Sequence, residues 1–295
     1  MNCAGGPTPW QSWLTCEENF DGPEKNYLKH HGYVFEVPAS AEAPVMATPL
    51  RALGRFVHEA AAVDPATNIL YQTEDRGQSG FYRFVPNGTY QRGRRPNLSS
   101  GKLQMLAMRN RAKYDTSSGQ KPGVSLPVRW VDIANPDPTG PSAKDDAVFR
   151  QGWEQGGARF SRGEGCWQEG GAIYFSCTNA GDEEQGQIWR HRPAPDGGDL
   201  ALIFESPDSD VLKFPDNICS TPKGALVICE DANIGKCLVR GLTRDGEIFD
   251  FAKNIANDSE FAGATFSPDG QTLFVNLQAT GQTLAIWGPW SKGPF

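Results

Sequence analysis

The sequence of 295 residues has little of what marks several common protein classes. No apolar run approaches the ~18 residues that a membrane-spanning helix needs. The N-terminal stretch Met-Asn-Cys-Ala-Gly-Gly has no basic region followed by an apolar one, so we expect no signal peptide within this chain. The seven cysteines are an odd number and include no Cys-x-x-Cys pair, which argues against a zinc ribbon and a complete disulfide framework.

Positive charge and histidine are also scarce. The 28 basic residues are outnumbered by 35 acidic ones, and the formal net charge is −7. This charge opposes the phosphate attraction that dominates nucleic-acid binding, so we predict no nucleic-acid partner. Only four histidines accompany the many carboxylates, a composition that suits hard cations such as calcium, which take oxygen ligands.

Glycine and proline are plentiful and scattered, as expected for short strands joined by turns. At ~150 residues per domain the length suggests two domains, although one large all-β domain also fits. Five segments share the order of turn, short apolar strand, polar loop and aromatic strand, and they span residues 12–37, 59–86, 164–193, 215–242 and 260–290. This repeat predicts an all-β fold, a single β-propeller domain over residues 1–295. The alternative is a β-sandwich whose turns are evenly spaced by coincidence.

A long polar segment interrupts the repeat at about residues 87–162. We interpret it as an inserted loop region that contains a strand near 102–109 and a short helix near 145–152. Segments longer than ~15 residues without regular structure are commonly lids or binding loops.

Acidic residues recur at similar places in the repeated units. One set follows a strand in three units and consists of the doublets Glu17-Glu18, Glu74-Asp75 and Glu230-Asp231. A second set opens the units and consists of Glu59, Glu164, Asp216 and Glu260. Equivalent blade positions converge on the propeller axis, so these carboxylates are predicted to face the channel. Carboxylates that lie close together repel one another, and several bound metal ions would relieve this repulsion. Each acid of the first set, taken alone, could instead be a solvated loop residue.

The cysteines divide into two kinds. Cys16, Cys177 and Cys229 lie inside apolar strands, where small buried hydrophobic residues are expected. Cys3 lies in a glycine-rich segment that we do not expect to form a strand, so we predict that it is a thiolate ligand.

Several of these motifs together resemble the PhoX-type alkaline phosphatase family. They are NCAGGPTPWQSWLTCEE, HEAAAVDPATNILYQTEDR with GFYRFVP, RGEGCW with GAIYFSCT, PDNICSTPKGALVICED and EFAGATFSPDGQTLFVN. The resemblance implies a six-bladed propeller that holds iron and calcium ions and hydrolyses small phosphate monoesters after export to the periplasm or the cell exterior.

The resemblance also implies roles for single residues. Cys3 is similar to the family's cysteine ligand of iron, and Arg162 is similar to the arginine that holds the phosphate. Glu164 is expected to act beside Arg162 in catalysis as well as in binding metal. Further metal ligands are implied at Glu59, Glu164, Asp216, Glu260, Glu17, Glu74, Glu230 and Asp231.

Family members carry a further blade-sized segment before the Asn-Cys-Ala-Gly-Gly motif, so we expect the chain to be an N-terminally truncated member with about five of six blades. Two alternatives remain open. One is another calcium-dependent propeller hydrolase, such as a lactonase or a phosphodiesterase, because one fold hosts many chemistries. The other is a non-catalytic calcium-binding propeller fragment.

Overall fold

The computed structural model describes residues 2–140, 143–231 and 237–295. This leaves residues 141–142 of the expected insertion and 232–236 of the fourth unit outside the described residues. The described part contains nineteen strands, one α-helix and three short 3₁₀ helices at Pro23–Lys25, Arg51–Leu53 and Trp290–Lys292. None of its helices has the length and apolar character needed to cross a membrane.

The strands form five consecutive antiparallel groups, which we number as blades one to five. Blade one holds β1 (Asn2–Pro7), β2 (Ser12–Glu17) and β3 (Val34–Pro38). Blade two holds β4 (His58–Val63), β5 (Leu70–Glu74), β6 (Phe81–Pro86) and β7 (Gly101–Met108). After β8 (Ser125–Asp132) and α1 (Ala147–Glu154), blade three holds β9 (Gly163–Glu169), β10 (Ala172–Cys177), β11 (Gln187–Arg192) and β12 (Asp199–Glu205). Blade four holds β13 (Pro215–Ser220), β14 (Leu226–Glu230), β15 (Leu238–Leu242) and β16 (Ile248–Lys253), and blade five holds β17 (Phe261–Phe266), β18 (Thr272–Leu277) and β19 (Gln282–Trp287).

Local turn chemistry explains how the first two strands of a blade are joined. Between β4 and β5 the carboxylate of Asp64 accepts hydrogen bonds from the backbone N–H of Ala66 and the hydroxyl of Thr67. Between β9 and β10, Gly170 and Gly171 both have positive φ, as a tight two-residue hairpin requires. These turns set the register of the strands that carry the acidic residues.

The segment expected to be an inserted loop region takes part in the sheets. It supplies β7, which pairs with β6, and β8, which pairs with both β7 and β12. Blades two and three therefore form one nine-stranded sheet in the order β4-β5-β6-β7-β8-β12-β11-β10-β9. The expected strand is β7 and the expected helix is α1.

The first strands of the blades lie side by side in chain order. β1 contacts β4, β4 contacts β9, β9 contacts β13, and β13 contacts β17. Apolar side chains fill the space between neighbouring blades, as where Phe81 of blade two stacks on Phe175 of blade three with ring centroids 4.2 Å apart. This arrangement places the first strands in the interior, with one end of each strand around a common cavity.

Cys3 lies within strand β1, so the expectation of a non-strand segment there is wrong. The glycines that suggested a loop instead allow close approach of β1 to blade two. A Cβ added at Gly6 would lie 1.7 Å from the carbonyl oxygen of Ala61. Glycine in this strand therefore serves packing between blades.

Candidate metal centre

A cavity of about 770 Å³ lies where the first strands of all five blades meet. Its charged and thiol lining residues are Cys3, Glu18, Glu59, Arg162, Glu164, Cys166, Asp216, Asp231 and Glu260. A group of ligand atoms from Cys3, Glu18 and Glu59 lies within 4.8 Å of one another, and so does a group from Glu59, Glu164 and Asp216. Because Glu59 belongs to both groups, the two candidate metal sites share a ligand.

The same irregularity recurs in the first strand of every blade. In β4, His58 pairs with Glu74 and Ala61 pairs with Gln72, so β4 contains one residue more than its partner strand over this stretch. Equivalent shifts occur in the other four first strands. Such β-bulges re-aim side chains and are common beside functional sites.

These bulges hold the residues that converge in the cavity. In four of the first strands, the residue directly after the pair at the cavity end lies in the bulge. These residues are Cys3, Glu59, Glu164 and Asp216. In blade five the same position is occupied by Gly263. Four consecutive blades thus contribute one thiol and three carboxylates from a single repeated backbone feature.

Glu59 is the most enclosed of these groups. Its side chain is fully buried, and neither carboxylate oxygen accepts a hydrogen bond from a described N–H or O–H group. Burial, together with the charges of Asp216 and Glu18, raises the pKa of Glu59 well above its ordinary value. A buried carboxylate without a donor is costly unless a cation or a proton neutralises it.

Neighbouring carboxyl groups show the same effect. Burial and the charges of Asp231 and Asp75 raise the pKa of Asp216 to about 7. Burial and the charge of Glu59 also raise the pKa of Glu164. Burial and Glu59 raise the pKa of the Cys3 thiol as well. The chain alone does not compensate this concentration of acidic groups, so the donor set fits bound cations.

Glu260 and Asp231 line the same cavity from blades five and four. Glu260 precedes β17 and is not at the bulge, so it is not equivalent in position to Glu59 and Glu164. Burial, followed by the neighbouring Asp231, raises the pKa of Glu260 to about 8.

Among the described residues that line the cavity, Arg162 is the one arginine or lysine. Its Nε and Nη2 donate to the two carboxylate oxygens of Asp75 at 2.9 and 3.1 Å, and Nη2 also donates to Glu164 at 2.7 Å. No described group accepts a hydrogen bond from Nη1. Burial opposes the charge, but Asp75, Glu164 and Asp231 outweigh it, so the pKa of Arg162 is raised. The guanidinium is held in a fixed orientation with one nitrogen still available.

Three acids from the expected set do not line the cavity. Glu17 accepts hydrogen bonds from the backbone N–H groups of Gly32 and Tyr33 and contacts His31. The Oε2 atom of Glu74 accepts from the Tyr82 hydroxyl and the Gly80 N–H.

Glu230 is the third of these acids, and it pairs with the buried Arg240 at 2.7 Å. The second acid of each doublet is therefore the one at the cavity. Glu18 and Asp231 line the cavity, and Asp75 binds Arg162.

Sequence reasoning named Glu18 and Asp75 only as members of doublets and did not select them as site residues. It also did not detect the bulges. The sequence did contain one signal of the bulges. In the first three blades a small residue directly follows the bulge residue, namely Ala4, Ala60 or Gly165. A Cβ at Gly165 would lie 2.5 Å from the carbonyl oxygen of Asp216, so blades three and four come into close contact at this point.

Comparisons with known proteins agree with this architecture. The family described as alkaline phosphatase PhoX matches residues 1–281. A structure of Pseudomonas fluorescens PhoX in complex with vanadate, a transition state analogue, superposes with a TM-score of 0.71 at 21% sequence identity. That match covers 94% of this chain and 64% of the Pseudomonas chain.

A protein from Lactobacillus plantarum aligns with a TM-score of 0.41 at 12% identity, covering 94% of this chain and 66% of that one. No curated protein sequence matches the chain significantly. The similarity to the Pseudomonas structure confirms the predicted all-β propeller fold.

Proposed function

The chain belongs to the alkaline phosphatase PhoX family, and on this basis we propose that it is a metal-dependent phosphomonoesterase acting on small phosphate esters. The observation that carries the proposal is a family match over residues 1–281 that includes every residue of the carboxylate and thiol cluster. By the same family resemblance we propose a periplasmic or extracellular location.

The proposed cations are Ca²⁺ and Fe³⁺. The ligands that fit them are Cys3, Glu18, Glu59, Glu164 and Asp216, with Asp231 and Glu260 in the same cavity. The unpartnered oxygens of Glu59 support this assignment, because a cation would supply the charge that no described donor supplies. Carboxylates suit hard Ca²⁺, and a thiolate at Cys3 adds a softer ligand that suits iron. When bound, such ions polarise phosphoryl oxygens and offset the charge that develops during phosphoryl transfer.

Arg162 is proposed to bind the phosphate. Guanidinium groups match phosphate oxygens in geometry and keep their charge at every physiological pH. The contacts of Nε and Nη2 with Asp75 and Glu164 fix the plane of the guanidinium before substrate arrives. Nη1, which donates to no described group, is then free to donate to a phosphate oxygen.

Phosphoryl transfer depends mainly on positioning and charge compensation, and the cavity provides for both. Glu164 links the two parts of the site, since it holds Arg162 on one side and belongs to the Glu59–Asp216 cluster on the other. We propose that Glu164 fixes the distance between the phosphate-binding arginine and the cluster.

The test compares three substrates on the metal-loaded chain. Hydrolysis of p-nitrophenyl phosphate is expected, with little turnover of bis-p-nitrophenyl phosphate or of a lactone. Metal analysis of the same sample is expected to show calcium and iron. Preference for the diester or the lactone would contradict the proposal, and calcium without iron and without turnover would indicate a binding protein.

Arg162→Lys tests the phosphate contact, because lysine keeps the charge and loses the planar fork. We expect kcat/KM to fall about 100-fold, which corresponds to about 3 kcal/mol. The matched control is Arg159→Lys, which alters another arginine that pairs with a carboxylate, Asp115, outside the cavity. Equal activity of the two variants would contradict the role of Arg162.

A further inference from the structure

A second cavity, of about 460 Å³, lies between blades three and four. In blade three, the end of the sheet that carries Glu164 is formed by the pair Gly163 and Cys177. Arg190 pairs with Tyr174, which lies farther from that end along the strands. Arg192 pairs with Asp199 two residues beyond Arg190 along β11. The second cavity is therefore at the other end of the blades, and no described residue lines both cavities.

Three arginines line this second cavity, namely Arg190, Arg192 and Arg244. None of them forms an ion pair within the described residues, whereas eight other arginines lie within 4.0 Å of a carboxylate. The Nε atom of Arg190 is buried and donates to no described group. A buried donor without an acceptor costs about 1–3 kcal/mol, so this arrangement favours an external acceptor.

Two carboxylates also line the cavity, and neither neutralises the arginines. One oxygen of Glu169 accepts a hydrogen bond from the hydroxyl of Ser220 at 2.8 Å. Asp245 is exposed and has no described ion-pair partner. With three guanidinium groups against two carboxylates, this cavity is locally positive in a chain whose net charge is −7.

The positions of two arginines are set by the backbone. Arg190 projects from the middle of β11, between β10 and β12. The Nε of Arg244 donates to the carbonyl oxygen of Gly224 at 3.3 Å. A Cβ at Gly224 would lie 2.0 Å from Nη2 of Arg244, so the absence of a side chain there leaves room for the guanidinium over the turn.

We propose that this arginine cavity is a second anion site that binds a phosphate-type oxyanion, either inorganic phosphate or the phosphoryl group of a larger molecule. Guanidinium groups bind such oxyanions through two parallel N–H donors, and Arg190, Arg192 and Arg244 offer donors without competing carboxylate contacts. The proposal does not depend on phosphatase activity, because it concerns residues outside the candidate metal centre.

The test is calorimetric titration of the full metal-loaded chain with inorganic phosphate at constant ionic strength. Arg192→Glu changes an exposed side chain with no described hydrogen bond, so the fold is expected to remain intact. Affinity at the second site is expected to fall about tenfold or more, since a charged hydrogen bond is lost and a repulsive charge is added. The matched control is Arg92→Glu, which makes the same charge change at an exposed arginine that lines neither cavity.

A second series uses phenylphosphonate, a mimic of a monoester that cannot release phosphate. If Arg192→Glu weakens the binding of phosphate but not that of phenylphosphonate, the site is assigned to inorganic phosphate. If it weakens the binding of phenylphosphonate but not that of phosphate, the site is assigned to esters. The proposal is overturned if Arg192→Glu binds both ligands as tightly as Arg92→Glu does. Arg244→Gln, checked for an unchanged melting temperature, must weaken the same binding event.

Discussion

The two members of each acidic doublet have different surroundings, although they are adjacent in sequence. Glu230 accepts hydrogen bonds from Arg240 and from the backbone N–H groups of Lys213 and Leu238. Asp231, the next residue, lines the cavity beside Glu260. Successive side chains at a strand end point in opposite directions, so one member is directed into the blade and the other toward the axis.

The doublets show that acidic residues at equivalent positions have two separate functions in this fold. The first member accepts its hydrogen bonds within its own blade or from a nearby loop, as Glu17 does from Gly32 and Tyr33, although one buried oxygen of Glu74 has no described partner. The second member faces other carboxylates or Arg162 at the cavity, where residues from several blades meet. Substitutions should therefore separate stability from metal binding and activity.

The largest effect is expected at the shared ligand of the cluster. Glu59→Gln removes the charge from a residue common to both candidate sites, while the shape of the side chain is kept. We expect at least about a 1000-fold loss of phosphatase activity, since charge stabilisation by metal ions is worth several kcal/mol. Metal content, measured by atomic emission, should fall in the same variant.

The control for this prediction is Glu247→Gln, which makes the same change at an exposed residue outside the cavity. Because Glu59 is an uncompensated buried acid, the metal-free variant should also be at least as stable as the metal-free parent protein. Full activity and metal content in Glu59→Gln would show that the cluster is not the metal centre.

The second prediction contrasts the two members of one doublet. Glu230→Gln removes the buried carboxylate partner of Arg240 and leaves the guanidinium paired with the exposed Asp250, so it should lower the free energy of unfolding by about 3 kcal/mol. Asp231→Asn should change that free energy by less than about 1 kcal/mol and lower activity and metal content instead. Urea unfolding and metal analysis of both variants make the comparison. If Glu230→Gln loses metal while its stability is unchanged, the division of roles within the doublets is incorrect.

The third prediction contrasts two cysteines. Cys3 lines the cavity and lies within 4.8 Å of carboxylates, whereas Cys177 is fully buried in strand β10. A thiolate bound to iron gives a visible charge-transfer absorption band, which Cys3→Ser should abolish. Cys177→Ser should keep the band and lower stability by about 1–3 kcal/mol, because a hydroxyl replaces a small buried hydrophobic group. A band that persists in Cys3→Ser would exclude this cysteine as the iron ligand.

Much of the blade architecture could be predicted from the sequence because its determinants are local. Turns such as Asp64-Pro-Ala-Thr and Gly170-Gly171 form hairpins through their own side chains or backbone freedom. Repetition of these local signals along the chain then predicts a propeller. The convergence of Glu59, Glu164 and Asp216 also follows from their recurrence in successive units.

Other features depend on pairing that no local pattern reveals. Strand β8 lies in a polar segment, and its role in joining two blades is decided by the partners β7 and β12. The choice between Glu17 and Glu18 as the cavity residue depends on strand direction and register, since both are acidic and adjacent. The bulges at Cys3 and Glu59 likewise require knowledge of the partner strand.

The smallest effect is expected from a titratable group that lies away from the cavity. His191 is buried among the rings of Tyr71, Phe81 and Trp130, and burial lowers its pKa to about 4. An unfolded histidine has a pKa of about 6.5, so between about pH 6.5 and 4 the unfolded state binds the additional proton. The stability associated with neutral His191 is therefore complete above about pH 6.5 and is lost as the pH falls toward 4.

Replacing this group tests whether the blade interior and the metal centre respond independently. Between pH 7 and 4.5, the parent protein should lose about 2 kcal/mol more unfolding free energy than His191→Phe, as measured by urea unfolding. Chelation removes cations from the cavity but does not alter the surroundings of His191, so the same difference should persist in chelator. If the difference disappears when metal is removed, the metal centre and the interface between blades two and three are coupled, and the separation of the two regions does not hold.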